Sequence, residues 1–200
     1  MNFYNTIEEE GLAEYKDRGS KFLAHAIPFT EKAMLKKYLQ QLKKEHPKAA
    51  HFCFAWRIGI TGNDFRVNDD GEPSGTAGKP ILGQIDSKGL TDVLITVIRY
   101  FGGTLLGVPG LIAAYRSASS MVLQTVPVVR KPVLFYFRLE FDYLQTNEVL
   151  AILKYYDCII SSHENQLFSS VTTGVPMDNK VSLFHKIQNL RNVNISILEG

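Results

Sequence analysis

Between residues 51 and 60 the chain reads HFCFAWRIGI, an apolar and polar alternation with a period of two. Successive side chains of a strand point to opposite faces, so Phe52, Phe54, Trp56 and Ile58 are expected on one side and His51, Cys53, Ala55 and Arg57 on the other. TDVLITVIRYF (91–101) is apolar almost throughout, which predicts a central strand buried on both faces. Helical spacing governs FTEKAMLKKYLQQLKKEHP, where Leu35, Tyr38, Leu39 and Leu42 share a face, Thr30 is the expected N-cap and Pro47 the stop. Another helix is expected from about Gly110, LIAAYRSASSMVLQ, with Ala114, Ser117, Ala118 and Met121 forming a small-residue stripe for close packing on a sheet.

After Gln124 the chain runs TVPVVRKPV, and Pro127 and Pro132 so close together cannot sit inside a helix or a central strand. A domain boundary is placed there, giving units 1–130 and 131–200. In the second unit VLFYFRLEFDY reads as a strand and QTNEVLAILKYYD as a helix capped by Thr146, with Val149, Ile152, Leu153 and Tyr156 on one face. CIISSHENQ and LFSSVTTGV read as two strands, PMDNKVSLFHKIQNLRN as a helix, and VNISIL as a closing strand. That order, β-α-β-β-α-β, is the ferredoxin-like pattern, and the whole is expected to be α+β.

The 200 residues are 45% hydrophobic and 21% charged, as in an ordinary globular protein, and no segment approaches the uninterrupted apolar length of a spanning helix. The opening MNFYNTIEEEGLAEYKDRG lacks a basic n-region and an apolar stretch, so no membrane association and a cytoplasmic location are expected. Charge is uneven: residues 1–131 carry 17 Lys+Arg against 13 Asp+Glu, residues 132–200 carry 5 against 7, so a polyanion is expected to meet the first part. Lys32, Lys36, Lys37, Lys43, Lys44 and Lys48 flank the apolar face of the first helix, as a solvated face or as a phosphate-backbone footprint, and Arg57, Arg66, Arg99 and Arg116 add arginines. Cys53 and Cys158 have neither CxxC nor Cys/His ligand spacing and read as reduced thiols, while His25, His46, His51, His163 and His185 are scattered.

Two glycine-rich stretches concentrate the candidate chemistry. NDDGEPSGTAGKPILG (68–83) fails as a phosphate loop, because Pro73 replaces the first glycine and Pro80 the hydroxyl that would hold magnesium. RYFGGTLLGVPG (99–110) follows a strand and leads into a helix whose amides could face an anion, but it is not GxGxxG, and Pro109 removes a donor. No cofactor and no metal site is expected from either stretch. Asp69, Asp70 and Glu72 suit a hard cation or a solvated Asp-Gly turn, and spacing favours the turn.

Taken together, DDGEPSGTAGKPIL, then VIRYFGGTLLGVPGL, with HFCFAWRIG and RGSKFLAHA before them, resemble the YigZ/IMPACT family over about residues 15–125. The resemblance implies a first domain like the second domain of a small-subunit ribosomal protein, and a second domain like the fifth domain of elongation factor G. It implies a translation-associated protein without an established reaction: eukaryotic relatives regulate translation by binding the activator of a starvation kinase, and bacterial relatives are linked to nucleic acid or the ribosome. The matching positions are Asp69, Asp70, Gly71, Glu72, Pro73, Ser74, Gly75, Thr76, Ala77, Gly78, Lys79 and Pro80, then Arg99, Tyr100, Phe101, Gly102, Gly103, Leu106 and Gly107. Pro109 stands where relatives usually have glycine and Ala113 where they carry a cation, and the 200 residues are not expected to have room for the RWD domain of the eukaryotic regulators.

The expected partner is RNA or a ribosomal component, with a regulatory protein as another candidate. Residues 69–80 are read as a surface loop presenting carboxylates and Lys79 beside the end of the Arg99 strand, where the RYFGG turn admits another backbone or a partner. Two alternatives are kept. One is a hydrolase or phosphotransferase using Asp70 and Glu72 around a divalent cation, with Lys79 or Arg99 steadying charge. The other is a protein-interaction module, which would expose an apolar patch among Phe135, Tyr136, Phe137 and Tyr143.

Overall fold

The structure, a computed structural model, describes residues 2–165 and 168–198. It divides into two compact units, Tyr4–Lys131 and the chain from Pro132 onward with the extreme N-terminus, and the fold is α+β. Among the described residues no helix is long and apolar enough to cross a membrane.

In the larger unit, β2 (Gly11–Asp17), β3 (Ser20–Pro28), β4 (His51–Ile58), β5 (Asp64–Asn68) and β6 (Val93–Tyr100) form one sheet in the order β2-β3-β6-β4-β5. All four pairings are antiparallel. β6 lies in the middle because its run VLITVIRY is apolar on both faces: Val93, Ile95 and Val97 enter one core, Leu94 and Ile98 the other. β4 alternates as its sequence predicts, with Phe52, Phe54 and Trp56 on the side of α1 (Met34–Glu45), and Cys53 and Ala55 on the side of α2 (Gly78–Ser87) and α3 (Gly107–Val122). α1 covers its face with Leu35, Tyr38, Leu39 and Leu42. β1 (Phe3–Ile7) pairs with β7 (Val128–Pro132) in a separate two-stranded sheet, where Pro132 ends its strand and interrupts no central ladder.

Three local expectations need correction. α1 starts after Ala33, not at Thr30, because the backbone first makes tight turns in which Met34 N donates to Glu31 O and Leu35 N to Lys32 O. The buried stripe of α3 is Leu111, Ala114, Tyr115, Ala118, Ser119 and Val122; Met121 faces solvent, since the sheet selects the face that carries the large Tyr115. α2 was not expected at all. Its first residues, Gly78, Lys79 and Pro80, look like loop, yet proline is tolerated in a first turn, and Ile81 and Ile85 then fall on one buried face.

The smaller unit has the element order β8 (Leu134–Asp142), α4 (Thr146–Tyr155), β9 (Ile159–Asn165), β10 (Phe168–Pro176), α5 (Lys180–Gln188), β11 (Val193–Ile197). Its antiparallel sheet runs β11-β8-β10-β9, so β10 separates β8 from β9. Phe137, Leu139, Phe141, Val171 and Val175 meet Val149 and Leu153 of α4 and Leu183 and Ile187 of α5 in one core. Thr146 is not a cap: Asp142 caps a 3-10 turn at Tyr143–Gln145 by accepting from Leu144 N at 2.8 Å, and Thr146 donates its hydroxyl to Tyr143 O. The link between the expected hairpin strands includes Gln166 and Leu167, which lie outside the described residues. The expected aromatic patch does not form, because Phe137 is fully buried and Phe135 packs on the core beneath the helices, leaving Tyr136 and Tyr143 exposed. The sheet face that carries Tyr136 also presents Arg138, Glu140, Ser170 and Asn194 side by side, with the exposed Phe168 next to them.

Candidate functional site

The chain leaves β5 at Asn68 and turns sharply, with Asp70 and Gly71 both at positive φ, before entering α2. Asp69 points back under this turn. Its carboxylate accepts from the backbone N–H of Gly75 (2.8 Å), Ala77 (3.0 Å) and Gly78 (2.8 Å). The amides that a phosphate loop would offer to a ligand are therefore satisfied by the chain's own carboxylate, which also caps α2 in place of its apolar N-cap residue, Ala77. Burial pushes the Asp69 pKa up, but the amides of Gly75, Gly78 and Ala77, with the field of Lys79, outweigh it and hold the group below the ordinary carboxylate range.

Asp70 is committed as well. Its Oδ2 accepts from Phe52 N at 2.7 Å and its carbonyl oxygen from His51 Nδ1 at 2.8 Å, with Lys43 Nζ 3.8 Å from its Oδ1. Glu72 turns inward: its Oε1 accepts from Arg99 Nη1 at 2.6 Å and from the Tyr115 hydroxyl at 2.7 Å. The pair is buried, with side chains 3% and 6% exposed for Glu72 and Arg99. Cys53 extends the network, its thiol lying 3.2 Å from the Tyr115 hydroxyl and 3.0 Å from Asp69 O. Burial raises the Cys53 pKa far above its usual value, so this thiol is a hydrogen-bond donor rather than a nucleophile.

The two glycine stretches thus meet, but most of their polar groups are turned into the protein. The carboxylates of Asp69 and Glu72 are not presented on a surface loop, because three amides and a guanidinium hold them inside. Thr76 is buried and donates to Pro73 O. Tyr100 belongs to the opposite face of the sheet, where its hydroxyl lies 2.8 Å from His46 Nδ1. Lys79 is exposed and faces a separate groove shared with Gly75 and Arg116. Gly71, Ser74 and Gly103 are at the surface.

Gly102 does admit another backbone, and it is this chain's own. A Cβ there would stand 1.9 Å from the carbonyl carbon of Gly19 and 2.2 Å from Ser20 N. The β2–β3 turn packs directly on the end of β6, and Ser20 Oγ accepts from Gly102 N at 3.2 Å. Gly102→Ala is therefore expected to destabilise the unit by about 2–3 kcal/mol, as overpacking against rigid backbone does; a chemical denaturation midpoint within error of wild type would contradict this packing.

What remains open is a cleft of about 530 Å³. Glu72, Arg99 and His51 lie at its polar end, and Pro73, Leu106, Leu111 and the exposed Phe101, Leu105 and Val108 line it. Phe101 is 52% exposed, with the Arg99 guanidinium 5.7 Å from its ring centre. Ala50 and His51 join the cleft to the end of α1, beyond which Lys48 is exposed. His51 and Tyr115 were not singled out by sequence reasoning. Tyr115 stands 43 residues from its partner Glu72, a distance over which spacing carries no signal.

Residues 18–123 match the family model described as the Impact N-terminal domain, which spans strands β3 to β6 of the sheet, the three helices and both glycine stretches of the larger unit. The chain belongs to the YigZ/IMPACT family. It is 32% identical to the IMPACT family member YigZ of Escherichia coli (strain K12) over 165 residues, covering 82% of this chain and 81% of that one. It is 36% identical to the IMPACT family member YvyE of Bacillus subtilis (strain 168), over 72% of this chain and 66% of that one. Protein IMPACT of Xenopus laevis is 35% identical over 116 residues, which make up 36% of its length. Among solved structures, one titled "Crystal structure of an hypothetical protein" aligns with 100% of this chain and 98% of its own at a TM-score of 0.76 and 27% identity.

Proposed function

We propose that this protein is a translation-associated factor that binds single-stranded RNA through the cleft at the end of β6. The observation that carries the reading is the exposed aromatic ring of Phe101 beside an apolar cleft whose lining residues Ala50 and His51 follow the lysine-rich α1 in the chain. Lys36, Lys37, Lys44 and Lys48 have no carboxylate within ion-pairing distance among the described residues, whereas Lys32 is paired with Asp64 and Lys43 lies near Asp70. Unpaired cations that track a phosphate backbone, with an aromatic face on which a base stacks, are the ordinary equipment of single-strand binding. Membership of the YigZ/IMPACT family supports the link to translation, and the strand order β11-β8-β10-β9 supports a ferredoxin-like second unit like the fifth domain of elongation factor G. The arrangement of the larger unit, a five-stranded sheet with helices on both faces, is the counterpart proposed for the ribosomal-protein-like domain.

The cation-dependent hydrolase reading gains nothing from the geometry. Asp69 holds the amides of α2, Asp70 holds Phe52 N, and Glu72 holds Arg99 and Tyr115, so the three carboxylates do not converge on a point. Among the described residues no group of three or more His, Cys, Asp or Glu side chains could hold a metal ion.

RNA affinity is expected to fall steeply with salt, by about 0.7 in the logarithmic slope for each phosphate contact on a single strand. The triple variant Lys44→Ala/Lys48→Ala/Lys37→Ala should bind more weakly at low salt and show a slope shallower by up to about 2. Fluorescence anisotropy with a labelled oligoribonucleotide across a salt series measures both, and an affinity independent of salt, or no binding, would sink the reading.

A further inference from the structure

We propose that the cleft takes a guanine base of the bound strand, an inference that rests on the RNA-binding reading above. Glu72 is the starting point. Its Oε1 accepts from Arg99 and Tyr115, while Oε2 accepts no hydrogen bond among the described residues and is not sealed within the protein: the side chain lines the cleft. Oε2 is thus an acceptor on an otherwise buried side chain, with the cleft as its outlet. His51 supplies a second acceptor. Its Nδ1 lies 2.8 Å from Asp70 O, and a carbonyl oxygen can only accept, so Nδ1 carries the proton and the lone pair of the neutral ring sits on Nε2. Nε2 is 3.9 Å from Glu72 Oε1.

The polar end of an apolar cleft therefore presents two neighbouring acceptors. A complementary ligand offers two neighbouring donors on the edge of a flat body that Phe101, Leu105 and Leu106 can cover. Guanine does so with N1–H and its 2-amino group. Adenine and cytosine place an acceptor beside their single amino group on the corresponding edge, and uracil has one N–H between two carbonyls. Carboxylates accept from base N–H groups in this way, and single-stranded RNA is the form whose bases are free to enter a pocket edge first and stack on an aromatic ring. A guanidinium also offers paired donors, but the Arg99 guanidinium already lines the cleft and Lys43 Nζ lies 3.8 Å from Asp70, whose carbonyl holds His51, so a second cationic head is repelled while a base tethered to phosphates is not.

The test uses the full chain and short uridine strands that carry one central guanosine, inosine, adenosine, cytidine or uridine, with affinity read by fluorescence anisotropy. The guanosine strand is expected to bind about tenfold more tightly than the uridine strand, and inosine, which lacks the 2-amino group, to lose most of that gain. Phe101→Ala should weaken all five strands alike, since stacking does not distinguish the edge. Glu72→Gln should bring guanosine within about twofold of uridine. If that variant does not fold, as thermal melting would show, the comparison of guanosine with inosine on the wild-type chain decides alone. Equal affinity for all strands, equal affinity for guanosine and inosine, or preference for another base overturns the guanine site and leaves RNA binding standing; no binding of any strand overturns both.

Discussion

Arg99→Ala is expected to cost about 3–5 kcal/mol of unfolding free energy, because it leaves the Glu72 carboxylate buried without its counter-charge. The Nη1–Oε1 distance of 2.6 Å and side-chain exposures of 3% and 6% place this pair among the desolvated ones, where removal of one partner is far more damaging than at the surface. Tyr115→Phe removes only the second donor to the same oxygen and should cost about 1–2 kcal/mol. The double variant Glu72→Leu/Arg99→Met, which removes both charges and keeps the volume, should lose much less than the two single changes added together. Urea denaturation of wild type and these variants, together with Glu72→Leu and Arg99→Met alone and with the slope checked for constancy, measures all of these. A loss below about 1 kcal/mol for Arg99→Ala would mean that water reaches Glu72 and that the pair behaves as a surface contact.

This pair gives the cleft its shape. Arg99 lies one residue before the end of the central strand, Glu72 in the turn before α2 and Tyr115 on α3, so one carboxylate oxygen ties three elements together. Oε2 is held toward the cleft because Oε1 is held away from it. The network fixes the carboxylate, while Phe101 stands exposed beside the cleft outside these hydrogen bonds.

The sequence made the sheet of the larger unit partly legible. The alternation of β4 and the continuous apolar run of β6 are local patterns that tertiary packing preserves, and the order of elements in the smaller unit follows from equally local periods. β2 escaped notice because its exposed face, Leu12, Glu14 and Lys16, mixes apolar and charged residues, and α2 because its opening Gly-Lys-Pro reads as a turn. Of the groups around the cleft, Glu72, Arg99 and Phe101 stand out in the sequence and His51 and Tyr115 do not, and the direction each side chain takes is not legible at all. Asp69, Asp70 and Glu72 are indistinguishable by spacing, yet one caps a helix, one ties a strand, and one enters the core. Which way each carboxylate turns depends on donors contributed by Phe52, Ala77, Arg99 and Tyr115, and these are assembled only by the sheet and the two helices beneath it.

Asp69→Ala should be nearly as costly as the loss of Arg99, at about 3 kcal/mol near neutral pH, and its cost should depend on pH in a defined direction. Three amides lose a charged acceptor at once, those of Ala77 and Gly78 lie at buried positions, and α2, whose first turn carries no acidic residue, loses the carboxylate at its N-terminus. The folded protein holds Asp69 below its ordinary pKa, so the unfolded chain takes up a proton at a higher pH than the native one does. The stabilisation is therefore complete above the unfolded carboxylate value of about 3.9 and is lost as pH falls through the lower, folded value. Wild type and Asp69→Ala should differ most from about pH 5 upward and converge in more acidic solution, where the wild-type carboxylate is itself protonated. Asp69→Asn should not rescue the variant, because an amide offers Gly75 N–H a competing donor on the side where the carboxylate offers an acceptor. Denaturation midpoints from pH 7 down to the acid limit of folding measure the gap directly; a gap that stayed constant or widened toward acid would show that Asp69 does not cap α2 as a carboxylate.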